Sequence, residues 1–360
     1  MTYSRKNVLL VVRPAEGGIQ QHVISLAQGL VDRGWSVGIA ANERFLQELP
    51  GGLSSEHYEV GIASRFAVSD IASAARVRQA ARGYGLIHAH GLRAGWVSSL
   101  ASLPAPLIVT AHNLVPRGRF ARLAVSQIAR KAARWSVVSD AIRTGLYAFG
   151  VPSERIDLIP NGIDLSAYRA ILGCSEARQQ LSVENGAQCV GYVGRLSPEK
   201  GVDVLLKAAE KLSETIFLIA GDGPSRDVLR AAPPSNVRFL GRIEDPRTVY
   251  AASDVIVIPS RSEGQGIVAI EALAAGTPVV ASHVGGLAET LTHERTALLV
   301  PVDDSDALAT AIMRVMTDEA LRQNLIRSGS QAAADYDIRE MLNRTIAAYE
   351  RATVNSLTNG

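Results

Sequence analysis

Ser262-Glu-Gly-Gln-Gly-Ile-Val-Ala-Ile-Glu-Ala-Leu-Ala-Ala-Gly-Thr-Pro-Val-Val280 contains a glycine-rich turn, an apolar helix and the start of a strand. The run Val255–Ile258 before it reads as a strand, and Pro278–Ala281 at its end as the next. Strand, glycine turn, helix, strand is the repeating unit of a parallel sheet. The pattern extends in both directions. Upstream and downstream, Cys189–Val193, Ile216–Ala220, Val237–Leu240 and Ala297–Val300 read as strands, with helices between them. The first half repeats the design, with strands at Val8–Val12, Val37–Ala40, Leu86–His88, Leu107–Ala111, Ser136–Val138 and Ile156–Ile159. A helix from Ile19 to Arg33 follows the first strand. Such alternation predicts parallel sheets covered on both faces, and 360 residues are enough for two of them.

The predicted organisation is a first α/β domain over 1–162, a linker with a short helix over 163–185, and a second α/β domain over 186–336. A last segment, 337–360, is expected to pack back on the first domain as a helix. Residues AVILMFWYC make up 47% of the chain and aromatics only 5%, as buried parallel strands require. The amino terminus has five consecutive apolar residues, 8–12, too short for a signal-peptide core, and no run is long enough to span a bilayer. The expected location is the cytoplasm. Two cysteines, Cys174 and Cys189, without CxxC spacing, argue against a disulfide framework or a zinc site.

Charge is unevenly spread. Residues 1–160 hold 18 Lys/Arg against 10 Asp/Glu, a balance of +8, and the remainder carries −6. Between Asp70 and Asp140 there are ten basic residues and no acid. Residues 117–135 read as a basic amphipathic helix. It is either a solvated face over a core-packing helix, or a contact with anionic lipid at the inner face of the membrane. Nucleic acid is not expected as a partner, because few aromatics punctuate the basic residues and no nucleic-acid motif appears.

Four places carry candidate chemistry. Gly17-Gly18 directly follows the first strand and lets backbone N–H groups approach a phosphate, although the full GxGxxG fingerprint is absent. Alone, it reads equally well as a tight turn. Arg195 and Lys200, in Gly194-Arg-Leu-Ser-Pro-Glu-Lys-Gly201, bracket a turn that opens a helix and suit the charges of a diphosphate. They also read as ordinary surface cations. His112 ends one strand, and His88 and His90 end another. HxH spacing without acidic or cysteine partners is a poor zinc signature, so no metal is expected and His90 reads as a satisfied group at the sheet rim. Glu263 and Glu271 lie eight positions apart, and over helix that separation spans roughly 12 Å. That is the reach from the sugar to the ribose of a nucleotide-sugar, with a helix start between them to hold an anion. Solvated acids near a helix start are the plain alternative, and paired acids of a glycoside hydrolase a third.

Together these motifs resemble the retaining, nucleotide-sugar-dependent glycosyltransferases with two Rossmann-like domains facing across a cleft (the GT-B type), in glycosyltransferase family 4. The resemblance runs nearly end to end. It rests on Gly17-Gly18, Pro-Asn-Gly-Ile-Asp (160–164), Gly-Arg-Leu-Ser-Pro-Glu-Lys-Gly (194–201), Gly-Asp-Gly-Pro (221–224), Phe-Leu-Gly (239–241) and the Glu-x7-Glu segment through Ala281. It implies that Arg195 and Lys200 grip the donor diphosphate and that Glu271 holds the ribose. Glu263 would contact the donor sugar, and the backbone of Gln265, Gly266 and Ile267 would line its phosphate. Ile243 would lie near the base. His112 would approach the sugar, and Gly17-Gly18 would close over the diphosphate. The implied reaction is metal-independent transfer, with retention, from a UDP- or GDP-linked sugar to an acceptor hydroxyl in polysaccharide or glycolipid assembly. The acceptor class would be a lipid-linked or cell-envelope glycan. Gln265 departs from the apolar residue usual at that place. It leaves open a non-catalytic nucleotide-sugar-binding subunit, or a related enzyme such as a sugar-nucleotide epimerase.

Overall fold

The computed structural model describes residues 6–14, 17–53, 56–115, 118–169 and 173–358, with side chains through residue 354. Arg117, where the basic stretch begins, lies outside the described residues, as do 1–5 of the amino-terminal reading and 170–172 of the linker reading. The chain divides into two compact units: Met1–Gly162 with Ile338–Gly360, and Ile163–Asp337.

Seven strands build the sheet of the first unit: β1 (Asn7–Val12), β2 (Ser36–Ala41), β3 (Glu56–Glu59), β4 (Ile87–His90), β5 (Leu107–Ala111), β6 (Ala132–Val137) and β7 (Ile156–Leu158). Their order is β3-β2-β1-β4-β5-β6-β7, with every recorded pair parallel. The continuous apolar run of β1 has a simple cause. Val8, Leu10 and Val12 face one core with Val23 and Leu26, while Leu9 and Val11 face the other with Val97 and Val109. A strand buried on both faces has no polar alternation to show. β3 escapes sequence reading for the opposite reason. Glu56-His-Tyr-Glu is a polar, partly exposed strand at the sheet edge, where side chains need not be apolar.

The basic stretch needs correction at its end. The helix covers Arg119–Lys131, and the chain then enters β6. Arg134 is buried and forked onto Asp157, with Nε to Oδ2 at 2.6 Å and a second bond of 2.8 Å to Oδ1. Trp135 is fully buried in the core. These tertiary partners override the local amphipathic pattern. The last helix, Ile338–Thr358, packs in the first unit against the helix Gly18–Val31 and against β6. Within it, Tyr349 is fully buried and shares a 2.8 Å hydrogen bond with His88 Nδ1.

The second unit holds β8 (Cys189–Val193), β9 (Ile216–Ala220), β10 (Val237–Gly241), β11 (Val255–Ile258), β12 (Val279–Ser282) and β13 (Leu298–Val300). Their order is β10-β9-β8-β11-β12-β13, again parallel throughout. Val255 and Val257 point to one core, Ile256 and Ile258 to the other. The stretch read as a linker is instead part of this unit. Helices Leu165–Arg169 and Cys174–Gln180 lie in it, and Ala177 and Val183 pack with Cys189 and Leu218. Arg178 is buried and donates to both Asp254 oxygens at 3.1 Å. Helices of five and seven residues are too short to show a periodicity that sequence reading can catch. Cys174 and Cys189 are free thiols, and burial pushes the Cys189 thiol up to about 12.

Candidate active site

In each sheet, neighbouring strands depart to opposite sides at one point: between β1 and β4, and between β8 and β11. Open α/β sheets place ligands beyond the carboxyl ends of the strands at such a point. In the second unit the loops after β8 and β11 meet there. Gly201 makes the approach possible. Its φ of +65° suits a residue without a side chain, and a Cβ would overlap the Pro259 carbonyl oxygen. Arg261 N donates to Glu199 O at 2.8 Å. The Arg261 guanidinium forks onto Asp203 at 2.8 and 2.6 Å and reaches Asp303 at 2.6 Å. The two loops are thereby held in fixed register.

That register joins two predicted residues 63 positions apart: Lys200 Nζ lies 2.5 Å from Glu263 Oε2. Both side chains are half-buried, at 27% and 15% exposure, so the pair is shielded more than a surface bridge. Ser260 Oγ adds a long contact of 3.4 Å to the same carboxylate. Arg195 is exposed, with no ion pair or side-chain hydrogen bond among the described residues.

The spacing between Glu263 and Glu271 is not helical throughout, which corrects the reach estimated from sequence. The helix begins only at Ile267 and runs to Ala274, so Glu263 belongs to the loop before it. Gly266 is the residue before the first turn, with φ 85° and ψ 63°. No side chain caps this helix start, and no acid occupies its first turn. Glu263 Cγ stands 3.4 Å from where a Gly266 Cβ would be. The Lys200–Glu263 pair therefore borders the amino end of a helix, where open N–H groups favour negative charge.

Glu271 is buried, not solvated. Its Oε1 accepts from Tyr168 O–H at 2.7 Å and its Oε2 from Tyr250 O–H at 2.5 Å. Burial raises its carboxyl above the usual range, while the two phenols act in the other direction. Tyr168 and Tyr250 are the residues that sequence reading missed. They lie 103 and 21 positions away, and nothing in the local pattern marks them. Gln265 is also buried, at 3% exposure, and its carbonyl accepts from Thr290 Oγ1 at 3.2 Å. Ile243 is half-buried just after β10 and packs on the same core as Ile267.

In the first unit, Gly17 and Gly18 open the first helix, with Gly17 at φ 65°. His88 is structural. Besides Tyr349, it bonds Thr110 Oγ1 through Nε2 at 2.6 Å. His90 is not the satisfied rim group expected: its Nδ1 lies 3.3 Å from His112 Nε2, and its Nε2 is buried without a partner. His22, from the first helix, completes the group with ring centroids 4.7 Å from His112 and 5.5 Å from His90. Polar side chains buried in this way sit oddly in a purely structural region.

Burial pushes the His22 imidazole down to about 4, against a side-chain hydrogen bond with Asn161 that acts in the other direction, and His88 down to about 3. A histidine that binds its proton less well when folded contributes stability that is complete above the unfolded value of 6.5. That stability is lost as pH falls through the folded value. The melting temperature is therefore expected to be level just above pH 6.5 and to drop between 6.5 and about 4. The slope is roughly 1.4 kcal/mol per pH unit for each proton involved. In His22→Gln the drop should be shallower. Parallel pH profiles for the variant and the wild type would show that the buried imidazole is not its source.

The chain has relatives among known proteins. Residues 175–332 match the family described as Glycosyl transferases group 1, and residues 16–167 match Glycosyltransferase Family 4. A D-inositol 3-phosphate glycosyltransferase of Rhodococcus jostii is 31% identical over 76% of this chain and 67% of its own. An uncharacterized glycosyltransferase of Methanocaldococcus jannaschii is 33% identical, over 57% of this chain and 56% of that one, little more than half of its length. Among solved structures, Anabaena Alr3699/HepE in complex with UDP and glucose superposes with a TM-score of 0.85. Its sequence identity is 25%, and the match covers 96% of this chain and 100% of that one. The chain belongs to the family 4, group 1 glycosyltransferases, and its two parallel-sheet α/β domains are those of the GT-B fold.

Proposed function

We propose that the protein transfers a sugar, with retention and without a metal cofactor, from a nucleotide-diphosphate-sugar to an acceptor hydroxyl. The observation that carries the proposal is Lys200 held against Glu263 at the switch point of the second sheet, beside an uncapped helix start. Lys200, Arg195 and the N–H groups after Gly266 bind the diphosphate. As the leaving group gains charge these contacts strengthen, which lowers the barrier. Glu263 recognises the donor sugar, and Glu271 with its tyrosines shapes the ribose end near Ile243. In the first unit, His112 is assigned to the sugar and Gly17-Gly18 to the diphosphate. The leaving diphosphate takes the acceptor proton, so no separate base is required. The UDP and glucose bound by Alr3699/HepE support a UDP-sugar donor.

A lipid-linked or envelope-type acceptor is favoured by the helix Arg119–Lys131. Phe120 and Leu123 are 79% and 64% exposed there, beside exposed Arg119, Arg122, Arg130 and Lys131. Among the described residues no helix is long and apolar enough to cross a membrane, so any contact of this kind is peripheral. The decisive experiment is a thermal-shift screen of UDP-, GDP- and ADP-sugars, followed by donor consumption with an NMR assignment of the product anomer. One donor should stabilise the protein and be turned over with retention. Binding without turnover across many acceptors would make the chain a nucleotide-sugar-binding subunit instead. In a parallel arm, anionic liposomes should float the protein in a salt-sensitive way, and Phe120→Ser should weaken this. Salt-independent absence of flotation removes the membrane contact.

A further inference from the structure

Three histidines from separate elements converge in the first unit: His22 from the helix Gly18–Val31, His90 at the end of β4 and His112 just after β5. Each offers a ring nitrogen, and the three lie within 4.8 Å of one another. Their exposures are 5%, 0% and 6%. His22 Nδ1 and His90 Nε2 are buried with no hydrogen-bond partner. Whichever tautomer His90 adopts, that nitrogen is a donor or an acceptor left unmatched. Packing alone gives no reason to hold such groups in a core.

Coordination gives one for the three nitrogens that lie together. Zinc–imidazole bonds of 2.0–2.1 Å in a tetrahedron set nitrogens roughly 3.4 Å apart. His90 Nδ1 and His112 Nε2 share a hydrogen bond of 3.3 Å, a separation that two ligands of one ion also have. The two rings are inclined by 18°, with centroids 5.5 Å apart. Three neutral imidazoles with an open fourth position are the ligand set of a well-known zinc class. Imidazole ligates a metal in its neutral form. Arg13 places a positive charge near His112 and opposes any cation. Only an ion with strong nitrogen affinity overcomes that, which selects zinc, copper or nickel over magnesium or calcium.

We propose that His22, His90 and His112 form a binding site for a zinc-class divalent ion, and that the bound ion blocks transfer by occupying His112. The binding half rests on the first unit alone. The inhibitory half rests on the function proposed above. The HxH spacing read from the sequence supplies only His90 of the three ligands; His112 follows another strand, and His22 comes from a remote helix.

The test is titration of the full chain with Co²⁺ as the probe, read by visible absorption, and with Zn²⁺ by calorimetry. One equivalent of Co²⁺ should give the intense bands of a four-coordinate site, and Zn²⁺ should displace it. His22→Gln and His90→Gln should each weaken binding by about tenfold or more. Circular dichroism shows whether each variant is folded, and the wild-type spectrum decides the matter even if a variant is not. No four-coordinate cobalt spectrum in the wild type overturns the site. So does undiminished binding in both folded variants, which would place the ion on exposed histidines such as His57 or His293. Inhibition is measured separately, as donor consumption with and without Zn²⁺. Binding without inhibition refutes the blocking of His112 and leaves the site intact.

Discussion

Lys200→Ala is expected to abolish most of the thermal stabilisation conferred by a nucleotide-sugar and to lower kcat/KM by roughly 10²- to 10³-fold. The reasoning starts from geometry. Lys200 reaches its place because Gly201 lets the loop after β8 run against Pro259 at the mouth of β11. There its ammonium is the half-buried cation next to a helix start with no capping side chain. A charge-assisted hydrogen bond to a phosphate is worth about 1.5–3 kcal/mol in the ground state. It is worth more in a transition state where the leaving diphosphate gains charge. Alanine removes that, and also leaves the Glu263 carboxylate with only the 3.4 Å Ser260 contact among the described residues. Glu263 then repels the incoming diphosphate instead of being neutralised. The measurement is a melting curve with and without donor, together with steady-state kinetics. A donor response equal to that of the wild type would mean that the diphosphate binds elsewhere.

Glu271→Ala should act on both stability and donor affinity. The carboxylate is the acceptor for two phenols, Tyr168 at 2.7 Å and Tyr250 at 2.5 Å. Tyr250 is fully buried, so its hydroxyl cannot turn to solvent. A buried donor deprived of its acceptor costs about 1–3 kcal/mol. Each kcal/mol lowers the melting temperature by about 2–4 °C in a domain of this size. Glu271→Gln keeps an acceptor and the shape, so its loss should be smaller. Adding Tyr250→Phe to Glu271→Ala should recover part of the stability, because it removes the orphaned hydroxyl. If the alanine variant melts like the wild type, the two hydrogen bonds carry no net stabilisation. If it melts lower yet retains full donor affinity, Glu271 organises the fold and has no part in holding the ribose.

The sequence made the sheets legible. β1, β8, β9 and β11 are near-continuous apolar runs without polar alternation, because both faces of each sheet are covered. β3 was not legible, since an edge strand of Glu, His and Tyr has no such constraint. The basic helix was read four residues too long. Arg134 and Trp135 look amphipathic in isolation, but a distant aspartate and the core claim them. Lys200, Glu263 and the glycine turn stood out by residue type and position after strands. Their mutual contact could not be read off.

Determined by the sequence alone were the two parallel-sheet domains, the glycines that make sharp turns, and membership of a glycosyltransferase family. Each of these is written in short stretches, as burial on both faces of a strand or as a backbone conformation open to glycine. The tertiary structure decided which distant side chains meet: Lys200 with Glu263, Tyr168 and Tyr250 with Glu271, and His22 with His90 and His112. Such contacts depend on the order in which strands are laid into the sheet, and no local period records that order.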